Sequence, residues 1–246
     1  MTNFSGLSVL KKMKNLLLLH GAIGSKSQFD SIKVELGNDF NVFTFNFPGH
    51  GGEVIPDGGF SIEMFAETVV DFLDSNSLDK VSIFGYSMGG YVGMYLAKKF
   101  PERVERLITL ATKFQWNEET SDKEVQMLNP EKIEAKIPAF AAELKRRHQP
   151  ADWKEVLRAT GNFLTVMGKN NPLKSDDYPE IDIPILILLG DRDKMVTLDE
   201  TVNVYKLLPN AQFGVLPNTP HPIEQVNVKM LLMFFKGFFN TRIFVI

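Results

Sequence analysis

Short runs of apolar residues alternate with longer amphipathic stretches along this chain of 246 residues. Several of the short runs are apolar at consecutive positions, which is typical of strands buried on both faces of a parallel sheet. The longer stretches repeat their apolar positions with helical spacing. The predicted strands are residues 16–20, 42–47, 81–84, 107–110, 185–189 and 212–216. The predicted helices between them are residues 26–36, 62–75, 88–100, 198–208 and 223–239.

This alternation predicts the α/β class, with a mostly parallel sheet and helices on both of its faces. Residues 113–180 interrupt the alternation, because they contain helical patterns but no run typical of a strand. Asn129 and Pro130, for example, have the character of a helix N-cap and a first helical residue. Long insertions in a compact domain are commonly functional lids. We therefore predict a core of residues 1–112 and 181–246 with an inserted helical cap.

Composition and charge exclude several classes of site and partner. The chain has 27 basic and 30 acidic side chains, a formal net charge of −3. This balance favours a small-molecule substrate over a nucleic-acid partner. The absence of cysteine excludes disulfides and thiolate chemistry, and we expect a cytoplasmic protein. No membrane span is predicted, because polar residues interrupt the apolar C-terminal run 230–246.

The sharpest local signal is the pattern Gly-x-Ser-x-Gly at residues 85–89, between a predicted strand and a predicted helix. This context is typical of a nucleophile elbow, in which the serine lies on a strained turn and flanking side chains would collide with nearby backbone. The N-terminus of the following helix presents free N–H groups to an oxyanion. We predict that Ser87 is the nucleophile and that the backbone N–H of Met88 stabilises the oxyanion.

A His-Gly pair at residues 20–21 ends the first predicted strand and opens a loop that leads to a helix. The backbone N–H of Ala22 in this loop is predicted to be the second oxyanion donor. His20 lies at a strand end before glycine, which favours a bracing role over a catalytic one. His50 is expected to belong to a turn. His148 follows basic residues at a helix end and is expected to be solvated.

The general base is predicted to be His221, which lies in the loop between the last strand and the last helix. Loops at the carboxyl ends of strands are where an open α/β sheet builds its site. The acid that orients the histidine should follow the preceding strand. Asp191 and Asp193 compete for this role, and Asp182 and Asp199 are poorer candidates by position.

Together these motifs resemble the α/β-hydrolase superfamily, in its branch with a serine nucleophile and a helical cap. The resemblance covers residues 16–239, although Asn46 stands where many relatives have an aspartate, at a position that is usually structural. It implies the chain order nucleophile, acid, histidine. It also implies that the acid is the last residue of Gly-x-x-Asp, which here is Asp193. Asp191, directly after Gly190, is expected to tie the turn that follows the strand to backbone amides.

The resemblance implies a serine hydrolase that cleaves a carboxylic ester, thioester or amide through an acyl-enzyme, without a metal or an organic cofactor. Trp116, Trp153 and Phe163 are candidate substrate contacts in the cap, which is expected to gate the site; aromatic residues at helical spacing more often form a core. Two alternatives stay open, because one fold hosts many chemistries. The same triad could serve carbon–carbon cleavage, lyase or perhydrolase chemistry, or the chain could be a ligand sensor with slow turnover.

Overall fold

The computed structural model describes residues 13–240, and within them six parallel strands form one sheet in the order β2-β1-β3-β4-β5-β6. Residues 1–12 and 241–246 lie outside this range. The two outer ends of the predicted core, and the apolar C-terminal residues for which the sequence predicted no element, therefore lie outside the described residues. The predicted α/β class is confirmed. The strands are β1 Lys14–Leu19, β2 Phe40–Thr44, β3 Val81–Tyr86, β4 Val104–Leu110, β5 Ile185–Gly190 and β6 Ala211–Leu216.

Helices cover both faces of this sheet because its central strands are apolar on both sides; every residue of β3 and β5 is buried. One apolar cluster joins the sheet to α2 and α3, and a second joins its other face to α1 and α9. No helix within residues 13–240 has the length and apolar character needed to cross a membrane. The α-helices of the core are α1 Asp30–Leu36, α2 Ile62–Ser75, α3 Met88–Lys99, α8 Leu198–Leu207 and α9 Val228–Asn240.

Between β4 and β5 the chain forms four further helices, which we call the helical insertion: α4 Glu118–Met127, α5 Pro130–Lys136, α6 Pro138–His148 and α7 Trp153–Lys169. The predicted start of α5 is confirmed, since the Asn129 side chain accepts the Lys132 N–H at 2.7 Å. Helix α4 was not predicted from the sequence, although Asn117 caps it in the same way. The insertion has a small apolar core of its own, formed by Ile133, Ala141, Leu144, Trp153 and Leu157.

Candidate active site

Ser87 lies on a tight turn between β3 and α3 and has a φ of 52°, a conformation that is strained for any residue but glycine. The neighbouring glycines are required by packing. A Cβ atom on Gly89 would lie 2.1 Å from the Leu19 carbonyl oxygen, and one on Gly85 would lie 2.4 Å from the Gly89 carbonyl oxygen. The Ser87 N–H donates to the Leu110 carbonyl at 2.9 Å. The turn is therefore the elbow geometry predicted from the sequence.

Two residues that line the pocket at this serine have backbone N–H groups with no acceptor within residues 13–240. The loop after β1 passes so close to the elbow that a Cβ atom on Gly21 would be 3.1 Å from the Ser87 Cβ. Neither the Ala22 N–H nor the Met88 N–H donates a hydrogen bond to any residue between 13 and 240. Both residues line one pocket together with Ser87. Two free donors are thus available to a negatively charged oxygen at this position.

His221 and Asp193 form a close hydrogen-bonded pair at the ends of β6 and β5. The distance between His221 Nδ1 and Asp193 Oδ2 is 2.8 Å, and the Asp193 side chain is 1% exposed. Its other oxygen accepts the N–H groups of Met195 and Val196 at 2.8 and 2.9 Å. Burial alone would raise the pKa of the Asp193 carboxyl. The bonds from His221 and the two amides outweigh burial and hold the pKa below its usual value.

Asp191, the competing aspartate, has a different environment. Its Oδ1 accepts the Thr219 N–H at 3.1 Å, and its side chain is 37% exposed. This contact ties the turn after β5 to the loop that carries His221, as the sequence suggested. The Tyr86 hydroxyl adds support by donating to the His221 carbonyl at 3.1 Å. The structure therefore brings Asp193, and not Asp191, to the histidine; the catalytic roles of these residues stay predictions.

The other three histidines are buried in a row, with ring centroids 5.3 Å apart for His20 and His50 and 6.1 Å apart for His50 and His148. His20 donates from Nδ1 to the Gly21 carbonyl at 2.8 Å and accepts the Phe47 N–H at 3.1 Å, which is the predicted bracing role. Burial lowers the pKa of His50 and of His148 to about 4 and that of His20 well below its ordinary value. All three are therefore neutral near pH 7.

The expectation of a solvated His148 is wrong. The side chain is 1% exposed, because the end of α6 packs onto the loops after β1 and β2. Its Nδ1 accepts the Gly51 N–H at 3.1 Å, and its Nε2 lies 3.0 Å from the Ile23 carbonyl oxygen. Arg147 is buried too, with 8% of its side chain exposed, and reaches the same carbonyl at 3.2 Å. Arg147 and His148 therefore face the loops of the core, whereas Lys145 and Arg146 of the same helix end are exposed to solvent.

Two cavities meet at Ser87 and His221. The outer cavity has a volume of about 500 Å³ and lies between the helical insertion and the core. The inner pocket has a volume of about 70 Å³ and extends from the serine toward Trp116 and Phe163. The segment between β4 and β5 lines the outer cavity with Glu124, Met127, Leu128, Phe140, Glu143, Arg147, Thr160 and Leu164.

The three aromatic residues predicted as substrate contacts separate into two groups. Trp116 and Phe163 line the inner pocket. Trp153 lines neither cavity and packs, 6% exposed, in the core of the insertion with Leu144 and Leu157. Its predicted role as a substrate contact is wrong, because its face of α7 is covered by α5 and α6.

Sequence reasoning missed Glu124, which lies on α4 and lines both cavities. The side chain is almost completely buried, and burial raises its pKa against the opposing effects of Lys113 and His221. The Lys113 Nζ lies 3.6 Å from Glu124 Oε1. The helix cap at Asn117 was the one sequence signal for α4, but no spacing indicated which face of this helix would meet the site. Across residues 13–240, no group of three or more His, Asp or Glu side chains is placed to hold a metal ion.

Comparisons with known proteins agree with this geometry. Residues 14–130 match the family model described as alpha/beta hydrolase fold. A Synechocystis protein with the provisional name non-heme chloroperoxidase is 25% identical over 88% of this chain and 89% of its own. The 2-(acetamidomethylene)succinate hydrolase of Mesorhizobium japonicum is 21% identical over 92% of this chain and 87% of its own.

The fold itself recurs in a solved structure. The enol-lactonase from Burkholderia xenovorans superposes with a TM-score of 0.75 at 19% identity, over 93% of this chain and 92% of that one. A structural match at this sequence identity shows only that the fold is shared. The family model adds a match in sequence, which covers the first four strands and the elbow. Residues 14–130 thus match the α/β-hydrolase family, and the described part of the chain has the α/β-hydrolase fold.

Proposed function

We propose that the protein is a serine hydrolase that cleaves carboxylic esters of small to medium size through an acyl-enzyme. The observation that carries the proposal is the 2.8 Å contact between His221 Nδ1 and Asp193 Oδ2, with His221 lining the same two cavities as Ser87. Because the carboxylate can only accept, the imidazole proton lies on Nδ1. Its Nε2 is then unprotonated, as a general base requires.

The reaction follows from these positions. His221 Nε2 takes the proton of Ser87 Oγ as this oxygen attacks the carbonyl carbon, and Asp193 stabilises the resulting imidazolium. The N–H groups of Ala22 and Met88 donate to the oxyanion. His221 then returns the proton to the leaving alcohol. Water attacks the acyl-enzyme in the second half, with His221 again as the base; thioesters and amides would follow the same steps.

The two cavities suggest how an ester would be divided. The inner pocket is small and its walls include Trp116, Phe163 and Met167, so we place a short apolar acyl group there. The outer cavity is larger and is lined by more charged side chains than the inner pocket, so we place the leaving alcohol there. Residues 113–180 would act as a cap over the strand ends and select the substrate. All groups proposed to react lie outside this segment.

Covalent labelling tests the nucleophile. A fluorophosphonate should add a single adduct, which peptide mass spectrometry locates on Ser87, and Ser87→Ala should abolish both labelling and ester hydrolysis. Ser82→Ala is the matched control, because this serine is buried in β3 at the end of the strand that lies away from Ser87. An adduct at another residue, or none on protein that hydrolyses p-nitrophenyl esters, would contradict the assignment.

A second candidate is perhydrolysis, in which hydrogen peroxide instead of water attacks the same acyl-enzyme. The name of the Synechocystis relative favours considering an oxidative role for this site. The same ester assay decides between the two when hydrogen peroxide is added: a perhydrolase forms the peracid faster than it releases the free acid. A hydrolase releases mainly the acid at all peroxide concentrations below those that inactivate it.

A further inference from the structure

The oxyanion loop, by which we mean residues 21–24, contains a residue in an unfavourable conformation. Ile23 directly follows Ala22 and has a φ of 51°. A β-branched residue in this left-handed region is a genuine outlier, because its Cβ substituents crowd the backbone. The loop is closed by one internal hydrogen bond, from the Gly24 N–H to the Gly21 carbonyl at 3.1 Å. Such a conformation persists only where the surroundings impose it.

At Ile23 the loop contacts the helical insertion. The Ile23 carbonyl accepts two hydrogen bonds from the last turn of α6, from Arg147 Nη1 at 3.2 Å and from His148 Nε2 at 3.0 Å. The donors are more than 120 positions away along the chain, in the segment proposed as a cap. Their contact fixes the peptide unit between Ile23 and Gly24. The N–H of that unit donates to the Gly21 carbonyl, which shares a peptide unit with the Ala22 N–H.

Both donors are held in place by further contacts. His148 Nδ1 accepts the Gly51 N–H at 3.1 Å, so the ring proton lies on Nε2 and points the donor at the Ile23 carbonyl. The second Arg147 nitrogen, Nη2, donates to Glu224 at 3.1 Å and to Glu143 at 3.3 Å. Both side chains are at least nine-tenths buried. The two donors thus form a rigid clamp with little freedom to move.

We propose that Arg147 and His148 are positioning residues for the reaction: they hold the oxyanion loop in its strained shape and so keep the Ala22 N–H beside Ser87. The inference rests on the proposed function, because it assigns a catalytic consequence to that N–H. It also changes the part given to the insertion. The helical insertion, which we propose to select the substrate, would also hold the Ala22 N–H of the core in the position that binds the oxyanion.

The test compares Arg147→Met and His148→Phe with the control Arg146→Met. Met keeps the apolar stem of arginine, and Phe keeps a ring, while the donors to the Ile23 carbonyl are lost. Arg146 is adjacent but 69% exposed and lines neither cavity. Loss of a whole oxyanion donor lowers kcat by about 10²–10³-fold. Since the clamp acts through the loop, we expect kcat for p-nitrophenyl acetate to fall about 10- to 100-fold in both variants, with KM changed less than about threefold and no change for Arg146→Met.

A purely structural role would lower stability without this kcat and KM pattern, so two further measurements accompany the kinetics. Hydrogen exchange at the Gly24 amide should accelerate in Arg147→Met and His148→Phe, while the amides of β3 keep their protection. His148→Gln retains an N–H donor and should keep more of kcat than His148→Phe. If either first variant does not fold, Arg147→Lys and His148→Gln supply the comparison with Arg146→Met.

Three results would overturn the inference. The first is a kcat in Arg147→Met and His148→Phe equal to that of Arg146→Met. The second is a rise in KM alone, which would make Arg147 a substrate-binding residue. The third is unchanged exchange at Gly24. Failure of the proposed function is recognised separately: the wild-type protein would neither hydrolyse esters nor be labelled at Ser87, while the faster Gly24 exchange in the variants would still show the clamp.

Discussion

The serine elbow and the helical insertion face each other across the same cavity, but different interactions hold them in shape. The elbow is fixed by backbone packing: a Cβ atom on Gly89 would meet the Leu19 carbonyl oxygen at 2.1 Å. The insertion is fixed by a small apolar core and by polar contacts such as those of Arg147 with the loop after β1. Close backbone packing leaves no room for variation, whereas helix surfaces can change one side chain at a time. The comparison predicts that substitutions at strand ends affect chemistry and that most substitutions in the insertion affect selectivity or stability.

The largest effect should come from the strand ends. Asp193→Asn should leave folding nearly intact and lower kcat by about 10⁴-fold, because an amide next to His221 Nδ1 favours the wrong imidazole tautomer. Asp191→Asn is the matched control and should lower activity by a modest factor, since its Oδ1 can still accept the Thr219 N–H. Steady-state kinetics on one small ester measure both. An inactive Asp191→Asn with an active Asp193→Asn would assign the role to Asp191.

Substitution of two tryptophans tests separately how the insertion contributes to stability and to substrate selectivity. Trp153→Ala should lower the free energy of unfolding by about 3–5 kcal/mol, because the side chain is buried in the core of the insertion. Trp116→Ala should instead enlarge the inner pocket and shift the preference of the enzyme toward longer acyl chains, with kcat on the acetate ester nearly unchanged. Urea unfolding and a series of p-nitrophenyl esters measure the two effects.

Two results would contradict the assignment of chemistry to the core and of selectivity and stability to the insertion. A folded Trp116→Ala that turns over no ester of any length would mean that the insertion holds a reacting group. A shift in chain-length preference in Trp153→Ala without loss of stability would restore that residue as a substrate contact.

The smallest predicted effect is a pH dependence of stability where the two regions meet. His20, His50 and His148 are held neutral by burial, and burial lowers the pKa of the last two to about 4. The unfolded chain binds protons on histidine below about pH 6.5, so the stability contribution is complete above that pH and is lost as the pH falls toward 4. From pH 7 to 5.5, the free energy of unfolding should decrease by about 1 kcal/mol for each histidine.

Urea unfolding at several pH values measures this decrease. His50→Asn removes one of the three groups and should reduce the slope of stability against pH by about one third. An unchanged slope in this variant would mean that His50 binds a proton in the folded protein over this range.

The chain pattern predicted the sheet and the elbow well because both depend on local sequence. Buried parallel strands are apolar at consecutive positions, and the elbow needs glycine and serine within five residues, at 85–89. The pairing of Asp193 with His221 was foreseen from the resemblance to a family and from their places after β5 and β6. Spacing alone left Asp191 as an equal candidate.

The parts that could not be predicted depend on contacts between distant segments. The Ile23 carbonyl accepts from Arg147 and His148, and no periodicity of α6 indicates that these two residues of its basic end face inward. Trp153 illustrates the reverse case, because an aromatic residue on an amphipathic helix can face either a ligand or a neighbouring helix. Glu124 was missed because the sequence of α4 is mostly polar, and no apolar face indicates which side of this helix is buried.

The meeting of two cavities at Ser87 has a kinetic consequence. In the proposed mechanism, the acyl group would still occupy the inner pocket once the alcohol has left, and the outer cavity of about 500 Å³ would admit the next nucleophile. Water, a second alcohol and hydrogen peroxide would all reach the acyl carbon by that route, so they compete as branches of one ping-pong cycle. The partition ratio among them would then be a property of the outer cavity, whereas the rate of acylation belongs to the elbow. Side chains such as Phe140 and Thr160 could redirect the product without altering how fast the acyl-enzyme forms.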